Sequence, residues 1–276
     1  MDVLIDAETL AAQLLGSEPP AVLDVRWALT GGNGPDLHAQ GHVPGAVYVD
    51  MDTELAAPPS VEGGRHPLPA IDDLQRAARR WGVRDGSTVV VYDDAGNVSA
   101  ARAWWLLRWA GLNSVLLLDG GLRAWRDAGL ELETGNVVPD PGDVTLSADS
   151  LPVIDADAAA QFVAAGILLD ARSAERFRGE REIVDPVAGH IPGARSAPTT
   201  ENLDADQRFA DRETLVERFR SLGVDGTRPV AVYCGSGVTA AHEIAALAIA
   251  GFDAALYPGS WSQWCGDPAR PVATGD

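Results

Sequence analysis

Cys234 opens the segment Cys234-Gly235-Ser236-Gly237-Val238-Thr239, which lies between the apolar run Val230-Ala231-Val232-Tyr233 and an Ala-rich stretch over 240–247. A strand that delivers a thiol into a glycine-loosened loop, just ahead of a helix, creates the conditions for a thiolate nucleophile. Gly235 and Gly237 let the backbone curl so that several N–H groups, up to those of Val238 and Thr239, turn inward, and the helix start adds partial positive charge. Both effects favour the thiolate, which is the reactive form. The competing reading is a strand-end cysteine buried as a small hydrophobe. Phosphoryl chemistry fits poorly, because loops of the Cys-x5-Arg type need an arginine six residues on, and that position is Ala240.

The elements that must position this loop occur twice. Leu4-Ile5-Asp6-Ala7 recurs as Val153-Ile154-Asp155-Ala156, Val22-Leu23-Asp24-Val25-Arg26 as Leu168-Leu169-Asp170-Ala171-Arg172, and Gly41-His42-Val43-Pro44-Gly45-Ala46 as Gly189-His190-Ile191-Pro192-Gly193-Ala194. Gly82-Val83, Val89 to Tyr92 and Trp125 find their counterparts in Gly223-Val224, Val230 to Tyr233 and Trp264. Matches in one order at a nearly constant offset identify an internal duplication. The loop equivalent to the cysteine segment reads Asp93-Asp94-Ala95-Gly96-Asn97-Val98-Ser99-Ala100 and has no nucleophile. Its acids read as solvated loop residues rather than metal ligands. One half is therefore expected to react and the other to support it.

Within each half, short apolar runs without polar alternation (Ala21 to Val25, Val89 to Tyr92, Val115 to Leu118) are separated by helical patterns (Asp72 to Trp81, Ala100 to Ala110). That pattern predicts an α/β fold with a parallel sheet flanked by helices in each half. Residues 1–138 and 150–276 form the two expected domains, with 139–149, rich in proline, as an extended linker. Trp104, Trp105, Trp109 and Trp125 lie at helical spacings and are expected in the core. His42 and His190 recur in both halves and are expected to hold a turn.

The chain has 276 residues, 46% hydrophobic and 22% charged, with a formal net charge of −19. Nucleic acid and anionic membrane are thereby disfavoured as partners, since both require clustered positive charge. Two cysteines, Cys234 and Cys265, make no disulfide framework, and no four-ligand zinc spacing is present. The segment Met1 to Asp6 has neither a basic n-region nor a long apolar core, so a cytoplasmic location is expected. An anionic substrate would have to be met by local arginines. Arg172 and Arg176, in Asp170-Ala171-Arg172-Ser173-Ala174-Glu175-Arg176, are the candidates, because a guanidinium can hold a carboxylate through two parallel hydrogen bonds. Arg178, flanked by Glu175 and Glu180, reads as part of a solvated helix face.

Taken together, the two Asp-x-Arg segments, the two Gly-His-(Val/Ile)-Pro-Gly-Ala segments, the single cysteine loop and the tail Gly259-Ser260-Trp261-Ser262-Gln263-Trp264 resemble a tandem rhodanese-domain sulfurtransferase over nearly the whole chain. The resemblance implies two rhodanese-like domains, the first inactive and the second catalytic, with Cys234 carrying sulfur as a persulfide and no other cofactor or metal. The loop is most similar to that of 3-mercaptopyruvate sulfurtransferases. Thiosulfate-type members carry basic residues after the cysteine, where Gly235 and Ser236 are neutral; thiosulfate is the alternative donor, and a sulfur-carrying module without turnover is a third reading. By the same resemblance Arg176, then Arg172, binds the substrate carboxylate, with the loop backbone from Gly235 through Gly237 and Val238 to Thr239. Ser236, His66 and Asp52 form a proton relay, the last two supplied by the first domain. The acceptor is a thiol, such as thioredoxin or a small thiol, or cyanide. The family's usual second arginine is absent: that stretch reads Glu182-Ile183-Val184-Asp185, and Arg181 is the nearest cation available to replace it.

Overall fold

The computed structural model describes residues 2–28 and 33–276, and the following statements concern these residues. They form two compact units, one of Met1–Ala56, Pro69–Leu151 and Ala205–Phe209, the other of Ala57–Leu68, Pro152–Asp204 and Ala210–Asp276.

In the first unit the elements run β1 (Leu4–Ile5), α1 (Ala7–Leu14), β2 (Ala21–Asp24), α2 (Gly34–Gln40), β3 (Val47–Tyr48), α3 (Met51–Glu54), α4 (Ile71–Arg80), β4 (Val89–Tyr92), α5 (Ala100–Trp109), β5 (Val115–Leu118) and α6 (Gly121–Asp127). In the second they run α7 (Ala156–Phe162), β6 (Ile167–Asp170), α8 (Ala174–Arg178), β7 (Arg195–Ser196), a 3-10 turn (Thr199–Asn202), α9 (Arg212–Ser221), β8 (Val230–Tyr233), α10 (Thr239–Ala250), β9 (Ala255–Leu256) and α11 (Ser260–Trp264). The sheets are ordered β1-β5-β4-β2-β3 and β7-β6-β8-β9, and every strand pair is parallel. A parallel bridge from Val153 to Leu256 stands where β1 does in the first unit.

The expected duplication extends to register. Asp24 pairs with Tyr92 as Asp170 pairs with Tyr233. The Tyr92 hydroxyl accepts from the Val43 N–H at 3.2 Å, and the Tyr233 hydroxyl accepts from the Ile191 N–H at 3.1 Å. Each tyrosine thus pins its Gly-His-x-Pro-Gly turn to the sheet. His42 and His190 hold turns as expected: their Nδ1 atoms lie 2.8 Å from the carbonyls of His38 and Phe177, and their rings stack on those of the same residues. Trp104, Trp105, Trp109 and Trp125 are buried, because helices that follow fully buried strands must themselves present apolar surface inward.

The domain limits differ from the expectation. Residues 139–149 are not a free-standing linker but a strap on the first unit: the Gly142 N–H donates to the Arg79 carbonyl at 2.7 Å, and Val144 and Leu146 are buried. Residues 57–68 fold with the second unit. The Arg65 N–H donates to Ser262 Oγ at 3.1 Å, and Gln263 Nε2 donates to the Glu62 carbonyl. Gly64, at φ +79°, packs so closely that a methyl group there would lie 2.7 Å from the Gly259 carbonyl oxygen. No sequence signal separated this excursion from the surrounding first half.

In the first unit, Asp24 is fully buried and receives Arg26 Nη2 at 2.5 Å, with His38 Nδ1 2.9 Å away. Burial opposes its ionisation, but hydrogen bonds from His38 and Arg26 outweigh it and hold the carboxyl below its ordinary value of 3.8. A depressed carboxyl pKa contributes stability that is present above the ordinary value and is lost as pH falls through the folded-state value. Asp24→Asn, which leaves Arg26 buried without its counter-charge, should cost about 3–5 kcal/mol near neutral pH. Urea unfolding of the whole chain should show this loss, together with a shallower decline of stability on the acid side than in the unsubstituted protein.

Candidate active site

Strand β8 is buried along its length and ends at Tyr233, so the next residue, Cys234, emerges at the carboxyl end of the sheet, where open α/β folds place their chemistry. Cys234 is itself buried. Its backbone is held on both sides by the tail of the chain: its N–H donates to Ser260 Oγ at 3.1 Å, and its carbonyl accepts from the Trp261 N–H at 2.9 Å. The Gly235 carbonyl accepts from the Ser262 N–H at 2.9 Å. Ser260 takes a left-handed φ of +53° to make these contacts. Gly237, at φ +81°, turns its N–H onto the Cys234 sulfur at 3.1 Å. A non-glycine residue would be strained in that conformation. Val238 caps α10 and Thr239 begins it, so the positive end of a twelve-residue helix faces the same pocket.

The duplicate loop reveals what this geometry is built to hold. Asp93 occupies the place of Cys234 at the end of β4, and its carboxylate accepts four backbone N–H groups, from Ala95, Asn97, Ser99 and Ala100, at 2.7–3.0 Å. Asp93 is therefore not a solvated loop acid as expected. It is fully buried, and burial pushes its carboxyl up against the pull of those donors. Asp94 is exposed. The strand-loop-helix junction is a backbone cradle, filled in one unit by a carboxyl group and in the other presenting the Gly237 N–H to the Cys234 sulfur.

Beside the loop, Ser236 Oγ and His66 Nδ1 lie 2.7 Å apart, and both residues are buried. Arg176 donates through Nε and Nη2 to the two Glu182 oxygens, at 3.0 Å each, and through Nη2 to Asp185 at 2.9 Å. Asp185 also receives Nη1 of Arg65. A methyl group on Gly235 would lie 3.0 Å from Arg65 Nη2 and 3.4 Å from Arg176 Nη1. Two guanidinium groups thus close over the loop.

The rhodanese-like domain family matches residues 6–128 and 155–267. The chain belongs to the rhodanese family. A Pseudomonas aeruginosa relative named as a 3-mercaptopyruvate sulfurtransferase is 50% identical over 284 residues, covering 99% of this chain and 98% of that one. A Mycobacterium tuberculosis relative named as a thiosulfate sulfurtransferase, SseB, is 48% identical over 276 residues, covering 99% and 97%. Among solved structures, the Escherichia coli protein SseA, described as a 3-mercaptopyruvate sulfotransferase, superimposes with a TM-score of 0.83 at 32% identity, covering 95% of this chain and all of that one.

Of the residues expected in the site, the second rhodanese unit brings together Cys234, Gly235, Ser236, Gly237, Val238, Thr239, His66 and Arg176. Arg172, Asp52 and the acids at 182 and 185 have the following partners. Arg172 is buried, with Nε and Nη2 on Asp170 and Nη2 on the Gly189 carbonyl at 2.7 Å. Its guanidinium is stacked 4.7 Å from the Trp261 ring. Arg26 makes the same contacts to Asp24 and Gly41 in the unit without a nucleophile, so this pairing does not depend on the cysteine loop. His66 belongs to the second unit rather than the first, whereas Asp52 lies in the first, where its carboxylate accepts from Trp27 Nε1 at 3.1 Å. The acids at 182 and 185 stand where the resemblance implied a cation. They orient Arg176 and Arg65, while Arg181 is exposed.

Sequence reasoning missed Arg65, although it directly precedes His66 and is a cation in an acidic chain. Arg178 pairs with Glu180 on the surface as expected. Burial, reinforced by the Asp185 charge, pushes the Cys265 thiol up and disfavours its thiolate. Burial likewise pushes the Asp185 carboxyl up, against the two guanidiniums. Among the described residues, no group of three or more His, Cys, Asp or Glu could hold a metal ion.

The pairing of Arg172 has a direct test. Arg172→Met should lower stability by about 3–5 kcal/mol, because it leaves Asp170 buried and unpaired, and Arg26→Met should cost a similar amount. Chemical denaturation measures both, and the KM for the sulfur donor in the folded Arg172→Met protein should stay within about twofold of the unsubstituted value.

Proposed function

We propose that the protein is a sulfurtransferase that moves sulfane sulfur from 3-mercaptopyruvate, through a persulfide on Cys234, to a thiol such as thioredoxin or a small thiol, or to cyanide. The observation that carries this reading is the Gly237 N–H directed at Cys234 Sγ, in a cradle whose duplicate holds a carboxyl group. The Cys234 thiolate attacks the donor sulfur; the new S–S bond forms as the donor C–S bond breaks. The electron pair goes into the conjugated carbonyl, and pyruvate leaves as its enolate, which takes up a proton. Ser236 and His66, 2.7 Å apart, are suited to relay that proton to the departing enolate, the role of an oriented acid-base pair. Arg176 Nη1 anchors the carboxylate. An acceptor thiolate or cyanide then attacks the outer sulfur, the S–S bond breaks, and the Cys234 thiolate is regenerated, giving a ping-pong cycle. Both cysteines are free, in keeping with a reducing cytoplasmic setting.

Thiosulfate as donor is the second reading. It is favoured by the guanidiniums of Arg65 and Arg176 beside Gly235, which place positive charge where the neutral residues of the loop offer none, and by the name of the Mycobacterium tuberculosis relative.

Steady-state assays with each donor and cyanide, following pyruvate or sulfite release, separate the two. Pyruvate release should dominate; sulfite release far exceeding it would reverse the donor. Mass spectrometry after donor alone should locate one added sulfur on Cys234, and Cys234→Ser should show neither the adduct nor turnover. Ser236→Ala should lower kcat with mercaptopyruvate by about a hundredfold, the low end of acid-base contributions. Undiminished turnover in Cys234→Ser would sink the mechanism.

A further inference from the structure

We propose that Arg65 supplies a second guanidinium to the donor-binding seat beside that of Arg176, and that Asp185 is the bracket that sets Arg65 against Arg176. The inference rests on Cys234 as the sulfur-accepting nucleophile and specifies which groups recognise the anionic end of the donor.

The ion pairs of the cluster leave Arg176 Nη1 and Arg65 Nη2 over, and Arg65 Nε is buried without an acceptor among the described residues. Arg176 commits Nε and Nη2 to Glu182 and Asp185, and Arg65 commits Nη1 to Asp185. The remaining ends, Arg176 Nη1 and Arg65 Nη2, are the ones nearest Gly235. They converge on the residue that follows the nucleophile, a glycine with no side chain to intervene. The depth order is consistent with this: the Asp185 side chain is 2% exposed, whereas those of Arg65 and Arg176 are 26% and 19% exposed. The acid therefore lies beneath and the cations lie outward, where an anion can reach them. Two guanidiniums this close repel each other, and one carboxylate bonded to both offsets that repulsion while fixing their separation.

Arg65 is also tethered. Its own N–H is fixed to Ser262 Oγ, Gly64 has no room to shift, and His66 is engaged by Ser236. A tethered guanidinium loses little freedom on binding, which favours affinity for a planar anion such as the carboxylate of a 2-oxo acid. Glycine at 235 follows from the same arrangement, because any larger residue would occupy the seat.

The test uses the full chain with Arg65→Met and Arg65→Lys. A charge-assisted hydrogen bond lost at a partly closed site corresponds to about a ten- to hundredfold loss of affinity. Arg65→Met should therefore raise KM for mercaptopyruvate by about tenfold or more while kcat changes less, and Arg65→Lys should recover part of the loss. Calorimetric titration of pyruvate into the Cys234→Ser protein, with and without Arg65→Met, reads the same seat without turnover, and circular dichroism checks that each variant is folded. Unchanged KM and pyruvate affinity in folded Arg65→Met would overturn the assignment, as would failure of pyruvate to bind the Cys234→Ser protein at all. Should Arg65→Met fail to fold, Arg65→Lys decides: it keeps the charge but not the fork, and affinity equal to that of arginine would overturn the role of Nη2. Pyruvate bound through Arg65 in a protein that never forms the Cys234 persulfide would refute the sulfurtransferase reading and leave this one standing.

Discussion

The bidentate pair between a buried aspartate at a strand end and the arginine two residues on, Asp24 with Arg26 and Asp170 with Arg172, is the constraint on which the rest depends. In each unit it neutralises a charge that could not otherwise be buried, and its guanidinium reaches on to a turn carbonyl, Gly41 or Gly189. The strand alongside is held in register with that aspartate through Tyr92 or Tyr233. Since Cys234 follows Tyr233 directly, the placement of the sulfur is inherited from that ion pair.

The two units show one scaffold in two electrostatic states. In the first, the carboxylate of Asp93 fills the ring of N–H groups and closes the question of ligands. In the second, the shorter loop puts a thiol in that place, with the Gly237 N–H directed at it. Retaining the cradle while replacing its occupant is a small change in sequence with a large chemical consequence, because backbone donors stabilise negative charge whatever atom bears it. The neighbouring acids Glu182 and Asp185 follow a related logic: they lower the net charge beside the loop yet hold two guanidiniums in fixed orientation, so directionality is kept where raw charge is surrendered.

Much of this was legible in the sequence. The apolar runs at Val22, Val90, Leu168 and Val232 marked buried parallel strands, and the repeat told which loop had kept a nucleophile. Arg172 was expected at the substrate by resemblance, and the structure buries its guanidinium against Asp170 and the Gly189 carbonyl. Its counterpart Arg26, in the half without a cysteine, already argued for a structural role, just as His42 did for His190. The position of Arg65 was not legible. Its approach to Gly235 depends on a segment whose neighbours on both sides belong to the first unit, and no local pattern of apolar spacing encodes that crossing. His66 was found through family resemblance, and its contact with Ser236 belongs to the tertiary fold.

That crossing bears on how the duplication can be taken apart. The segment 57–68 is lodged against the tail near Gly259 and Ser262, with Gly64 filling a gap too small for any side chain. The second unit is consequently discontinuous in the chain: it borrows a loop encoded inside its twin. A gene fragment beginning after the strap would carry the cysteine but neither the histidine paired with Ser236 nor the arginine beside Gly235. The second half of the chain alone is therefore not the second unit of the fold, which is completed only by residues encoded within the first half.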